Sequence, residues 1–94
     1  MRVEKKYYTV NSKETVELLV QHIEESPYMA VDTETTGLNV RKDRIIGWSL
    51  SGEEGVGFYL PTEIWNPEKE QLEEQFIEGI SCHVISKKLL KMLL

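Results

Sequence analysis

The chain has 94 residues, 40% of them apolar, with two Trp, four Tyr and two Phe, a composition that fits one small globular domain with a thin core and excludes a disordered chain. The formal net charge of −5 argues against tight duplex binding through a basic face. One cysteine, Cys82, excludes an intrachain disulfide, and no run approaches the roughly 20 apolar residues of a membrane span, so a soluble, reducing compartment, the cytoplasm, is expected.

Residues 6–10 are aromatic and β-branched and predict a short strand. Asn11 then reads as a helix cap, with Glu14 three residues on completing a capping box. Val16, Leu19, Val20 and Ile23 recur at helical spacing, and the helix stops at Ser26-Pro27. His22, beside Gln21, reads as a surface residue. Residues 28–33 predict a strand running into the core, and Gly37 and Asn39 mark a turn after it. Residues 44–50 predict the next strand, with Trp48 in the core. Residues 51–55 predict a loop, and residues 56–60 a third strand closed by Pro61.

Asn66-Pro67 has the form of a helix start, with Trp65 as a hydrophobic staple before it. Leu72, Gln75, Phe76 and Ile80 would be its buried stripe and Gly79 its end. The glutamates Glu53, Glu54, Glu63, Glu68, Glu70, Glu73, Glu74 and Glu78 read as solvated surface. Residues 80–84 predict a brief strand with Cys82 as a small buried hydrophobe. Residues 86–94 predict a helix. The expected fold class is a mixed α/β sheet: an antiparallel three-strand meander, then helix-strand-helix, the later strand joining through a parallel crossover.

The chemistry-bearing string is Val31-Asp32-Thr33-Glu34-Thr35-Thr36-Gly37-Leu38. Side chains alternate along a strand, so Asp32 and Glu34 point the same way. Two carboxylates held together repel unless a positive charge is bound, and a hard cation such as Mg²⁺ would supply it through oxygen ligands. The same Asp-x-Glu spacing also fits a plain solvated pair, and Thr35, Thr36 and Gly37 also fit ordinary turn residues.

The string Asp-Thr-Glu-Thr-Thr-Gly-Leu resembles the first motif of the 3′-5′ exonucleases with four acidic ligands, a family with a ribonuclease H-like fold. Two further stretches, Arg44-Ile45-Ile46-Gly47-Trp48-Ser49-Leu50-Ser51 and Gly57-Phe58-Tyr59-Leu60-Pro61, resemble the DNA polymerase I type. There, a hydrophobic strand with Gly-x-Ser precedes a strand ending in Tyr-x-Pro. The proofreading-subunit type would place Glu before the glycine, where this chain has Ile46. The resemblance implies one partial exonuclease domain over residues 1–94. It implies Asp32 and Glu34 as catalytic metal ligands for Mg²⁺ or Mn²⁺ in a two-metal site. It places Thr35 near the substrate's 3′ end and Leu38 against the terminal base. The implied reaction removes nucleotides from the 3′ end of single-stranded DNA. The implied partners are that DNA and a polymerase domain or a complementing chain.

The family's second motif is His-Asn-x-x-x-Asp on a strand leading into a helix. Its matching place is residues 83–90, where His83 fits as a substrate-binding residue. Val84 stands where Asn is expected and Lys88 where the metal-binding Asp is expected. A charged ammonium cannot ligate a metal. The third motif, Tyr-x-x-x-Asp, has no counterpart up to Leu94. Two of four carboxylates remain, so weak or no activity is expected from this chain alone. The tail after Phe76 matches loosely enough to suit a substituted end. A non-catalytic scaffold and an interaction protein that completes its sheet with another chain, including a second copy, are the other readings.

Overall fold

In a computed structural model of the protein, which describes residues 4–37 and 43–93, the chain begins with β1 (Lys6–Thr9), α1 (Lys13–Glu25), β2 (Ala30–Thr35), β3 (Ile45–Glu53) and β4 (Val56–Pro61). It continues with β5 (Glu63–Asn66), β6 (Gln71–Glu74), β7 (Phe76–Ile77), β8 (Ile80–Ser81) and α2 (Cys82–Met92). The main sheet has the order β1-β4-β3-β2. The β2-β3-β4 part is an antiparallel meander, as the short connections require, and β1 joins β4 in parallel across the α1 crossover. The ladder of β3 runs on to Glu53, and Gly55 takes φ +82 in the turn to β4.

Alternation along these strands sorts the residues into two faces. Val31, Trp48, Leu50, Phe58, Leu60 and Tyr8 lie on one, because Leu50 pairs with both Val31 and Phe58, Trp48 with Leu60, and Tyr8 with Phe58. Leu50, Phe58 and Leu60 are buried there together with Leu19 and Ile23 of α1 and Leu89 of α2, and Trp48 packs against them. The Tyr8 and Phe58 rings stack with centroids 5.1 Å apart. Both helices therefore cover the same face. His22 belongs to this layer rather than to the surface: its Nε2 accepts from Gly52 N at 3.0 Å, and its ring lies against Phe58.

The cap of α1 sits one residue later than the Asn11 and Glu14 reading placed it. Ser12 Oγ accepts from Thr15 N, while Thr15 Oγ1 accepts from Ser12 N at 3.0 Å and from Asn11 N at 3.1 Å. A threonine hydroxyl close to the backbone meets both amides, so the box closes between Ser12 and Thr15.

The stretch after Pro61 differs most from expectation. Asn66-Pro67 opens a turn, not a helix: Asn66 Oδ1 accepts from Glu68 N and Lys69 N, and β5 and β6 form a hairpin around residues 67–70. Trp65 is exposed on that hairpin and staples nothing. In the expected helical stripe, the buried residue is the polar Gln75, while Phe76 and Ile80 are exposed. Gln75 N donates to Thr62 O at 2.8 Å, and Gln75 O accepts from Cys82 N at 2.9 Å. Its side-chain amide reaches Pro61 O at 2.6 Å, Val10 O and Cys82 Sγ. A backbone whose N–H is taken by Thr62 and whose carbonyl is taken by Cys82 cannot also close helical i→i−4 bonds. Glu78 and Gly79, at φ 51 and 76, make the two-residue turn between β7 and β8.

Residues 80–84 do not form the expected crossover strand. Only Ile80–Ser81 is extended, paired to β7, and the helix begins at Cys82 under a cap from Ser81. The helix-strand-helix ending is thus replaced by a hairpin, a two-residue ladder and one helix. Cys82 is fully buried, as expected for a small hydrophobe, and burial pushes its thiol pKa up. No helix among the described residues is long and apolar enough to cross a membrane.

Candidate active site

The second face of the sheet carries Asp32 and Glu34 on β2, Ser49 and Gly47 opposite them on β3, and Tyr59 opposite Ser49 on β4. Among the described residues no helix covers this face, and Tyr7, which shares it, is 70% exposed. Contrary to the strand expected to run into the core, β2 is an edge strand with all six residues exposed. Among the described residues its strand partner is β3 alone, and of the run Tyr-Met-Ala-Val only Met29 is half-buried, packed against the core.

The two carboxylates share a face as the alternation required. Asp32 Oδ1 accepts from Thr33 N at 3.0 Å. Among the described residues neither carboxylate is in an ion pair. The residues opposite are a glycine and a serine, and both carboxylate residues are exposed.

The other expected site residues are not gathered here. Thr35 turns its hydroxyl into the turn, donating to Gly37 O at 2.6 Å. Leu38 lies outside the described residues. His83 is in the first turn of α2, a helix packed on the opposite face of the sheet, with its Nε2 4.0 Å from Glu63 Oε2. Because residues 82–92 are helical throughout, the His83-to-Lys88 spacing does not have the strand-to-helix form of the second motif. Val84 and Lys88 are both helix positions.

Polar bonds tie the end of β2 to the start of β3. Thr36 Oγ1 donates to Asp43 Oδ1 at 2.7 Å and accepts from Arg44 N at 3.2 Å. Arg44 then grips Glu63 with two bonds, Nε to Oε2 at 2.7 Å and Nη2 to Oε1 at 2.6 Å. The Glu63 side chain is 8% exposed, so this glutamate is not the solvated surface residue its acidic neighbourhood suggested. The Arg44 hydrogen bonds hold the Glu63 carboxyl below the usual carboxylate range, and the same hydrogen bonding, then the Glu63 charge, raises the guanidinium.

Sequence reasoning missed Tyr59 as a site residue, although it noted Gly-x-Ser and Tyr-x-Pro as motifs. A Cβ placed on Gly47 would come within 2.6 Å of the Tyr59 hydroxyl oxygen and 2.8 Å of its ring. The ring therefore lies across the glycine that faces Glu34. Burial, and then the Glu34 charge, push the phenol pKa up, so it stays protonated.

Asp32 and Glu34 have the hard oxygen donors, the uncompensated charge and the exposure that a divalent cation of the Mg²⁺ type needs. They fit as part of a centre: among the described residues no group of three His, Cys, Asp or Glu side chains is placed to hold a metal ion.

A family model described as 3′-5′ exonuclease matches residues 7–92. The chain belongs to this 3′-5′ exonuclease family, in its DNA polymerase I form. The DNA polymerase I of Borreliella burgdorferi is 33% identical over 58 residues, which cover 62% of this chain and 6% of that polymerase. The chain thus matches a small part of that relative's length. The family match continues past Phe76 to residue 92, so the tail through α2 is family sequence and not a substituted end.

Proposed function

We propose that this chain supplies the first acidic motif of a 3′-5′ exonuclease acting on DNA 3′ ends in a polymerase context. Asp32 and Glu34 are the residues that hold Mg²⁺ or Mn²⁺. The observation that carries this is their shared placement on an open sheet face, beside Gly47 and Ser49, in a chain of the exonuclease family. A divalent cation there supplies nucleophile activation and charge neutralisation for phosphodiester cleavage. The residues' own task would be to present two carboxylates side by side as oxygen ligands for that cation. Thr35 and Leu38, just beyond the pair, are the candidates for contact with the terminal nucleotide. His83, on the far side of the sheet, is not supported in that role.

We further propose that residues 1–94 act as one partial domain with weak or no turnover alone, because two carboxylates make a sparse site for a cation that usually keeps several waters. The test is hydrolysis of a 3′-labelled single strand in millimolar Mg²⁺. The expected result is little or no product. Steady turnover that is abolished by Asp32→Ala would overturn the inactivity while supporting the site. A non-catalytic scaffold is the second reading, favoured by the bare sheet face. It requires neither carboxylate and predicts no cation binding.

A further inference from the structure

We propose that Tyr59 is a positioning residue for Glu34: its phenol, led across the notch at Gly47, holds the Glu34 carboxylate beside Asp32. This rests on the reading of Asp32 and Glu34 as a ligand pair and extends it to a residue on a different strand.

The register carries the geometry. Glu34 pairs with Gly47, Asp32 with Ser49, and Ser49 with Tyr59, so all five residues share one face over three adjacent strands. Tyr59 starts opposite Ser49, but its ring does not stay there. It leans along the sheet until its hydroxyl stands where a side chain of residue 47 would begin, 2.6 Å from that Cβ position. Directly opposite residues in a sheet have Cβ atoms about 4.5–5.5 Å apart. The hydroxyl thus stands beside the Cβ position directly opposite Glu34, on the face that the carboxylate shares.

Only glycine at position 47 leaves this path open; any Cβ collides with the ring. Neither the Glu34 carboxylate nor the Tyr59 hydroxyl makes a hydrogen bond to another described residue, so donor and acceptor are both available. The Tyr59 ring is half-buried and Glu34 is exposed. A phenol hydroxyl can donate, which suits a carboxylate acceptor. Fixing Glu34 before a cation arrives reduces the side-chain entropy lost on binding.

The test compares Tyr59→Phe, Gly47→Ala and, as a control on the same face, Tyr7→Phe with the natural chain. The first readout is the ¹³C shift of the Glu34 carboxyl carbon at pH 7 in metal-free protein. The second is paramagnetic broadening of residues 32–36 by Mn²⁺. Tyr59→Phe and Gly47→Ala are each expected to move the Glu34 carboxyl shift and to weaken Mn²⁺ binding roughly fivefold to tenfold. Tyr7→Phe is expected to leave both unchanged. Preserved amide dispersion in Tyr59→Phe shows that folding is intact; if Gly47→Ala unfolds, Tyr59→Phe alone decides. An unmoved Glu34 carboxyl shift in folded Tyr59→Phe overturns the inference. If the natural chain shows no site-specific Mn²⁺ broadening, the ligand-pair reading fails, and the metal-free carboxyl shift still decides whether Tyr59 holds Glu34.

Discussion

The two faces of the four-stranded sheet do different work. One is covered by α1 and α2 and buries Leu50, Phe58 and Leu60 against Leu19, Ile23 and Leu89. The other carries Asp32, Glu34, Ser49 and Tyr59 and is uncovered among the described residues. Stability is concentrated where apolar area is removed from water, and the carboxylates of the proposed site are held unpaired in the open. Alternation along a strand makes this division possible, since neighbouring residues serve opposite faces. Asp32 and Glu34 are exposed while Leu50, one position along β3 from the partner of Asp32, is 3% exposed.

The largest expected effect breaks the covered face. Leu60→Ala or Leu19→Ala should cost about 2–5 kcal/mol in urea unfolding; a loss below about 1 kcal/mol would mean the two helices do not hold the sheet. On a chain this small, such a loss removes much of the total stability. The next effect concerns the polar staple beneath the hairpins. Gln75→Ala leaves the carbonyls of Val10 and Pro61 without that donor and should cost about 1–3 kcal/mol. An unchanged unfolding midpoint would show that water replaces the amide freely.

On the open face the sign reverses. Asp32→Asn with Glu34→Gln removes the repulsion between two neighbouring carboxylates, so stability should hold or rise slightly, while Mn²⁺ broadening at residues 32–36 disappears. Broadening that persists in the double variant would place the cation elsewhere.

The Arg44–Glu63 pair gives a smaller, pH-dependent effect. Because the Glu63 carboxyl lies below its ordinary value of 4.5, the pair stabilises the fold above that pH and loses its contribution as pH falls through the lowered value. Glu63→Gln should therefore flatten the acid limb of the stability curve. An acid limb identical to that of the natural chain would show that the pair contributes nothing.

The smallest expected effect lies at the β2 edge, whose outer hydrogen-bonding side has no strand partner among the described residues. Light scattering should show concentration-dependent association, reduced by Val31→Lys. A monodisperse monomer at high concentration would remove this edge from consideration as a pairing site.

Local chemistry made part of the molecule legible. The strands of the meander follow β-branched and aromatic runs, and α1 follows its apolar spacing and the proline after Ser26. The shared side of Asp32 and Glu34 follows from the two-residue strand period alone. The stretch from Asn66 to Val84 was not legible for a definite reason. Asn-Pro opens a helix or a turn equally well, and Leu72 and Phe76 four apart suit a helix stripe. The choice was made by Gln75, whose backbone is bonded to Thr62 and Cys82 and whose side chain enters the core. Those are contacts between distant segments, and a local window contains no signal for them.

The same division runs through the site. The sequence by itself determined that two carboxylates share a face and that the chain carries the first exonuclease motif. Only the tertiary structure decided that their strand is an exposed edge, that His83 sits on a helix across the sheet, and that Tyr59 reaches over Gly47 toward Glu34. Register between strands and the choice of covered face are set by packing between parts of the chain far apart in sequence, so only the folded chain shows them.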